Sequence, residues 1–419
     1  MNKLLVAHPT GNANTRGAIE GFHKRGILHS FHTCVACFEG DWQYRLAAIS
    51  PLREFRRRLF DKSLQSITHT YPFKELMRMV ASKTGMDNWI KHEDGRFCVD
   101  RIYQDLDKKV ARFVDRYHKE LGAVYLYEDC ATDIVKSAKR YGLKFIYDLP
   151  IGYWRVMRRL LEEERKNNPD WAMTLGGFND SDVKLARKDE ELKNADRIYV
   201  ASTFTKETLK DYPGQLAPIK VIPYGFPPIN KSRPYIPLDG RKLKILFVGG
   251  LSQRKGISYL FDAVRGMEDK IELTVVGQGN IDGCKALKDA LSHVNYIPSM
   301  PHDEILKLMA KNDVFVFPSL FEGFGLVVTE AMSQGTPVIT TDRTCGPDII
   351  NNGVDGWIVE AGKSEPIRET LVSLLENPSE LLSVGKAAME TAAKRPWSCY
   401  EEELANSVNK YLNGELSES

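Results

Sequence analysis

The chain has 419 residues, too many for one hydrophobic core, so two domains of roughly 200 residues each are expected. With 42% hydrophobic and 27% charged residues it is neither disordered nor fibrous, and a net charge of +2 excludes a bulk nucleic-acid binder. The apolar run 4–7 is too short for a signal-peptide core, and no run in the sequence reaches the roughly 18 apolar residues of a membrane span. The seven cysteines are scattered, and Cys34-x-x-Cys37 has no second pair at zinc spacing, so they read as reduced structural thiols. A cytoplasmic location is the expectation.

In chain order, apolar runs predict strands at 3–9, 31–38, 123–127, 144–147, 197–201 and 220–223, with helical periodicity between several of them. Alternation of this kind implies a parallel sheet wrapped by helices. Residues 41–121 interrupt it as a long, mostly helical insertion. Around Tyr224-Gly225-Phe226-Pro227-Pro228 the periodicity stops, and Pro234 and Pro237 follow, which marks a linker. A second alternating series then predicts strands at 244–248, 272–276, 294–297, 314–318, 337–340 and 356–359. The domains expected are 1–225, with its insertion, and 243–394, joined by the linker 226–242; a helix over 397–412 lies in the tail 395–419. Ligands of open parallel sheets bind beyond the carboxyl ends of the strands, and the motifs below fall there.

The first motif is Phe247-Val248-Gly249-Gly250-Leu251 followed by Gln253-Arg254-Lys255-Gly256, with a helix from about Ile257. Gly249 and Gly250 let a ligand approach the backbone, and Arg254 and Lys255 place two cations where a diphosphate would lie. Taken alone, the pattern is equally that of a glycine turn with two solvated charges. The second motif runs from Pro318 through Glu322, Gly323, Phe324, Gly325 and Leu326 to Glu330. Its loop offers amides of Phe324 to Leu326 at a helix start, a place for an anion. A carboxylate at Glu322 can accept from sugar hydroxyls and one at Glu330 can chelate the two hydroxyls of a ribose; the plainer alternative is a capping glutamate followed by a solvated helical one. Glu330 stands among Leu326, Val327, Ala331 and Met332, so it is not freely solvated and needs a partner.

With these motifs the chain resembles the retaining glycosyltransferases of the large family that includes bacterial phosphatidylinositol mannosyltransferase and many lipopolysaccharide transferases. Glu322 and Glu330 match its hallmark of two glutamates flanking seven residues. The likeness covers about 243–362, through Gly335-Thr336-Pro337-Val338-Ile339, Cys345-Gly346-Pro347-Asp348 and Gly353-Val354-Asp355-Gly356, with Val221-Ile222-Pro223-Tyr224-Gly225 as the interdomain segment.

The resemblance implies an α/β fold of GT-B type, two Rossmann-like domains facing across a deep cleft. It implies a nucleotide diphosphate sugar as donor, a glycan or lipid-linked acceptor, no metal and no other cofactor. Lys255 and Arg254 would stabilise the departing diphosphate and Glu322 would orient the sugar, these three forming the catalytic set. Glu330 would hold the ribose, Gly323 to Leu326 sugar and phosphate oxygens, and Tyr296 and Ile297 the base. The leaving phosphate would assist deprotonation of the acceptor on the same face of the sugar. Gly250 stands where many relatives carry arginine, which would leave the phosphate clamp to Arg254 and Lys255.

In the first half, Gly11 and Asn12 fall in the loop that closes over donor phosphates or acceptor. Tyr127-Glu128-Asp129 falls where relatives place a histidine absent here, so Glu128 and Asp129 are candidates for the acceptor side. Tyr153, in an aromatic cluster with a cation, serves either sugar stacking or packing. A catalytically silent partner subunit of the same fold, or a sugar-nucleotide epimerase, are the rival readings.

Two aspartate pairs, Asp105/Asp107 and Asp180/Asp182, read as helical and capping residues rather than metal ligands, since neither sits at a strand end facing the cleft. Residues 45–83 carry nine Lys/Arg against three acids, interleaved with Leu52, Phe55, Leu59, Phe73, Leu76 and Met77. Such a basic amphipathic surface either adheres to anionic lipid at the inner face of a membrane, accepts a phosphorylated substrate, or packs on its own domain.

Overall fold

The computed structural model describes residues 3–41 and 58–415; Arg45, Leu52, Arg53, Phe55, Arg56 and Arg57 of the basic segment lie outside the described residues. The first half contains β1 (Leu4–Ala7), β2 (Leu28–Thr33), β3 (Cys37–Phe38), β4 (Leu59–Phe60), β5 (Thr68–Thr70), β6 (Ala123–Tyr127), β7 (Lys144–Leu149), β8 (Arg197–Val200) and β9 (Ile219–Val221). Among the described residues they form a parallel seven-stranded sheet of order β5-β2-β1-β6-β7-β8-β9, with β3 and β4 paired apart from it. The second half contains β10 (Leu243–Val248), β11 (Ile271–Val276), β12 (Asn295–Ile297), β13 (Val314–Phe317), β14 (Val338–Thr341) and β15 (Trp357–Val359). These form a parallel six-stranded sheet, β12-β11-β10-β13-β14-β15. β1, β6 and β13 are buried along their whole length, and β10 except at Lys244, because helices cover both faces of each parallel sheet.

The order reverses between β1 and β6 in one sheet and between β10 and β13 in the other. Crevices open at such switch points, beyond the carboxyl ends of the strands. The loops after β1, β10 and β13 therefore meet between the lobes.

Two expectations are corrected. The second strand is not 31–38: it runs from Leu28 to Thr33, and Cys34 turns back to donate from its amide to Pro9 O at 3.2 Å. His29 and His32 break the apolar pattern at the true start, while the run at 34–38 is buried as a bend followed by the short strand β3. The insertion also contributes strand as well as helix. β5, whose Thr-His-Thr carries no apolar signal, extends the sheet beside β2. The helices Phe73–Thr84 and Val99–Tyr117 follow. The longer one buries Ile102, Leu106, Val110 and Val114, one residue per turn, beneath the sheet.

The last helix, Trp397–Leu412, crosses back to the first lobe. Gly21 on the helix Ala13–Lys24 lets it approach so closely that a Cβ there would stand 2.3 Å from Glu401 O. Lys24 pairs with Glu401 at 2.6 Å, Tyr199 with Ser407 at 2.9 Å, and Lys144 donates to Tyr411 O at 2.9 Å. Beside the linker, Phe226 N donates to Arg395 O at 2.9 Å, so the two passages between lobes run together. Cys34 and Cys37 are buried free thiols, and burial pushes Cys34 up to about 12. No helix among the described residues is long and apolar enough to cross a membrane.

Candidate active site

After β10 the chain makes a short turn, Gln253–Lys255, and Gly256 follows at φ +67°. A Cβ at Gly256 would stand 1.9 Å from Pro318 O, so only glycine lets this loop press against the loop after β13. That contact brings Lys255 onto Glu322. The Lys255 ammonium is ion-paired with Glu322 Oε1 and lies 5.0 Å from the centre of the Phe317 ring. Ser319 Oγ donates to the same carboxylate oxygen at 2.7 Å. Arg254 stands 3.4 Å from it and donates to Phe321 O at 2.7 Å. Burial holds Lys255 below its usual pKa; Glu322 opposes this shift and Arg254 adds to it.

The loop then passes through Gly323 and Gly325, the latter at φ +95°, into the helix Leu326–Ser333. Gly323 O accepts from Ser202 Oγ at 2.6 Å and from Thr205 Oγ1 at 3.0 Å, both from the first lobe. The amides of Phe324, Gly325 and Leu326 donate to no protein acceptor among the described residues. They are the orphan donors of a helix start, a ready place for an anion.

Glu330 lies one turn further along this helix, and its Oε1 accepts from His302 Nε2 at 2.9 Å. The bond to Glu330 raises the pKa of His302. Both residues, with Leu326 and Thr329, line a cavity of about 630 Å³ whose other wall is Thr10, Gly11, Asn12, Ala13, Arg16 and Arg58. The cavity thus spans the lobes. Arg254, Lys255 and Glu322 are not part of its lining; they sit in a separate, more enclosed knot.

The remaining candidates are placed as follows. Gly249 N donates to Val276 O at 3.0 Å, and a Cβ at Gly250 would meet nothing within 4 Å. Tyr296 donates to Gly277 O at 3.1 Å and Ile297 O accepts from Gly277 N at 3.0 Å, at the end of β12. Gly11 and Asn12 reach the cavity. Glu128, Asp129 and Tyr153 are not brought to it. Glu128 is held by Lys188 at 2.9 Å and Asp129 by Arg187 at 2.9 Å, because the helix Asp182–Asn194 packs its cations over the end of β6. Tyr153 is buried, and its hydroxyl donates to Asp189 at 2.7 Å, so its ring serves packing.

Of the aspartate pairs, Asp107 caps a helix by accepting from Asp133 N and Ile134 N at 2.7 and 2.8 Å, and Asp105 pairs with Lys109 at 2.6 Å. Asp182 is not a cap; Ser181 is, accepting from Lys184 N. His92, Glu93 and Asp180 converge, but Asp180 is taken by Lys184 at 2.9 Å and Glu93 by the Ser181 amide at 2.8 Å.

Sequence reasoning missed Ser319, His302, Arg16 and Arg58. The signal for His302 was present in Pro301-His302 opening a helix directly after β12. A histidine does lie edge-on to Tyr127, with ring centres 4.8 Å apart, but it is His8 from the end of β1.

Two doubly wound lobes, facing loops after β10 and β13, and cations paired with acids define the GT-B class of fold. The chain superposes over 99% of its length on all of sucrose-phosphate synthase from Thermosynechococcus elongatus, with TM-score 0.67 and 16% identity. It superposes over 97% on 99% of Anabaena HepE in complex with UDP-glucose, with TM-score 0.60 and 16% identity. Residues 228–391 match the model of the family Glycosyl transferases group 1. The chain is 29% identical over 221 residues to phosphatidyl-myo-inositol mannosyltransferase of Mycobacterium leprae, covering 51% of this chain and 54% of that protein. It is 27% identical over 161 residues to the amylovoran biosynthesis glycosyltransferase AmsK of Erwinia amylovora, covering 35% and 39%. The chain thus spans about half the length, or less, of these curated relatives.

Proposed function

We propose that the protein is a retaining glycosyltransferase that moves a sugar from a nucleotide diphosphate donor to a glycan or lipid-linked acceptor without a metal. The observation that carries this reading is the arrangement along one loop and helix. Lys255 and Arg254 gather at Glu322, amides of Phe324 to Leu326 stand without protein acceptors, and Glu330 faces the interlobe cavity. Ribose hydroxyls would bond to Glu330, phosphate oxygens to the amides and to Lys255 and Arg254, and the sugar to Glu322. Gly249, Gly250, Tyr296 and Ile297 would flank the base and phosphates.

In this mechanism the acceptor hydroxyl oxygen bonds to the anomeric carbon as the carbon–phosphate oxygen bond breaks, on the same face. The hydroxyl proton passes to the departing phosphate oxygen. The protein supplies position and charge stabilisation rather than a dedicated base. Lys255 would exchange its contact with Glu322 for the developing charge on the diphosphate, which frees Glu322 for a sugar hydroxyl.

The fold likeness to a chain bound to UDP-glucose and the matched domain support the donor class. The relatives' names, a phosphatidylinositol mannosyltransferase and a polysaccharide transferase, support the acceptor class. A peripheral site at the inner face of a membrane fits the helix Phe73–Thr84, which leaves Phe73, Leu76 and Val80 exposed beside Lys74.

The test is release of nucleotide from UDP-, GDP- and ADP-sugars by the purified chain, in chelator, with and without candidate acceptors. Turnover of one donor, lost in Glu322→Gln, is expected. No donor consumed by the wild type would favour a silent subunit, and donor converted without acceptor or hydrolysis an epimerase. Dependence on manganese would remove the metal-free mechanism.

A further inference from the structure

Two arginines outside the donor-side set line the same cavity as Glu330. Arg16 lies on the helix Ala13–Lys24, and Arg58 directly precedes β4. Each donates to a carbonyl of the turn after β1: Arg16 to Gly11 O at 2.9 Å and Arg58 to Thr10 O at 3.1 Å.

The amides of that turn point away from the cavity. Thr10 N and Gly11 N both donate to His8 Nδ1, at 3.1 and 2.9 Å. Burial, with Arg58 adding to it, holds His8 at about 3, so this nitrogen stays an acceptor through the neutral range. Gly11 is fixed at φ +61° under the Phe60 ring, where a Cβ would stand 2.3 Å from a ring carbon. A ligand reaching this wall therefore meets guanidinium N–H groups rather than the inward-turned amides of Thr10 and Gly11.

The local charge favours an anion. Arg58 pairs with Glu75 at 2.7 Å, and Arg78 takes the same carboxylate at 2.8 and 2.9 Å, so among the described residues Glu75 is shared between two guanidiniums. Burial lowers the pKa of Arg16, Glu20 opposes this and Arg58 adds to it; a guanidinium remains charged nonetheless. Two cations of fixed fork geometry on one wall suit the oxygens of a phosphate group.

We propose that Arg16 and Arg58 form a phosphate-binding subsite on the first-lobe wall of the cavity that Glu330 lines from the second. The phosphate belongs either to the donor diphosphate or to an anionic acceptor. The first source rests on Glu330 as the ribose ligand; the second does not.

The experiment is calorimetric titration of wild type, Arg58→Gln and Arg16→Gln with UDP, GDP and ADP, together with melting temperatures in inorganic phosphate with and without nucleotide. A loss of at least tenfold in nucleotide affinity in either variant supports the subsite and assigns it to the donor. Unchanged nucleotide affinity, with a phosphate stabilisation of the wild type that both variants lose, supports it and assigns it to the acceptor. Nucleotide affinities unchanged and no arginine-dependent phosphate effect overturn it. Should Arg58→Gln unfold by circular dichroism, Arg16→Gln carries the test. Should the wild type bind none of the three nucleotides, the donor reading of Glu330 fails, and the phosphate arm alone decides the subsite.

Discussion

Gly323 lies so close to Pro150 that a Cβ on the glycine would stand 1.8 Å from the proline carbonyl oxygen. The glutamate loop of the second lobe is thus seated directly on the first. Gly152 repeats the contact in reverse, since its Cβ would stand 2.5 Å from the Phe321 ring. Gly323→Ala should therefore separate the lobes locally, at a cost of about 1–3 kcal/mol. We expect a lower melting temperature and a turnover reduced at least tenfold. Wild-type values for both would show that the seating does not matter.

The Lys255–Glu322 pair permits a double-mutant cycle. Removing either partner strands a buried charge, and Lys255→Met alone should destabilise by about 3 kcal/mol. The double variant Lys255→Met/Glu322→Gln should recover most of that stability, because neither charge is left behind. Turnover should stay at least 100-fold down in all three variants, as expected where charge stabilisation of the transition state is lost. Activity that returned with stability would make the pair structural only.

Glu330 and His302 yield a spectroscopic test. The hydrogen bond that His302 donates to Glu330 raises the pKa of His302, so the stabilisation it brings is full below the unfolded pKa near 6.5 and is lost as pH rises through the folded value. In Glu330→Gln the His302 titration midpoint, followed by NMR, should fall. Nucleotide affinity should weaken about 10- to 100-fold, consistent with the loss of hydrogen bonds to a charged group. A 2′-deoxynucleotide should lose less than the ribonucleotide. An unmoved midpoint would contradict the geometry, and an unmoved affinity the ribose role.

Asp148, at the end of β7, is fully enclosed and accepts from Tyr125 at 2.6 Å. Burial raises it to about 7, against which the tyrosine bond acts only in part. Its folded pKa is raised, so its contribution to stability is present below about pH 4 and is lost as pH rises through 7. Asp148→Asn should melt above the wild type at pH 8, with the difference shrinking towards zero at pH 4. A constant difference across that range would mean the carboxylate is not titrating as described.

The second lobe was the more legible half of the sequence. There each strand is a short apolar run ended by glycine or proline, and the site lies on the two loops so marked. Helices begin at Ile257 and Leu326, where the glycines end. Glu330 required a partner by its apolar neighbours, but His302 is 28 residues away in sequence and joins it only through the fold. In the first lobe, polar strands such as Thr68–Thr70 gave no periodic signal, and an edge position tolerates that. Glu128 and Asp129 looked available because the cations that occupy them sit some 60 residues later, on a helix whose facing could not be read from its mixed charge pattern. Arg16 and Arg58 were hidden for the opposite reason. Arg58 reads as one more charge of the basic segment 45–83, and Arg16 belongs to no motif, until the turn after β1 folds between them.

The passage at Phe226 and the passage at Arg395 lie side by side, with the Phe226 amide bonded to Arg395 O at 2.9 Å and Gly225 tight against Trp397. A rotation about this paired crossing would keep the bond, whereas sliding one passage past the other would break it. A fragment cut before Pro396 would lose one of the two paired passages along with the helix Trp397–Leu412 that returns to the first lobe.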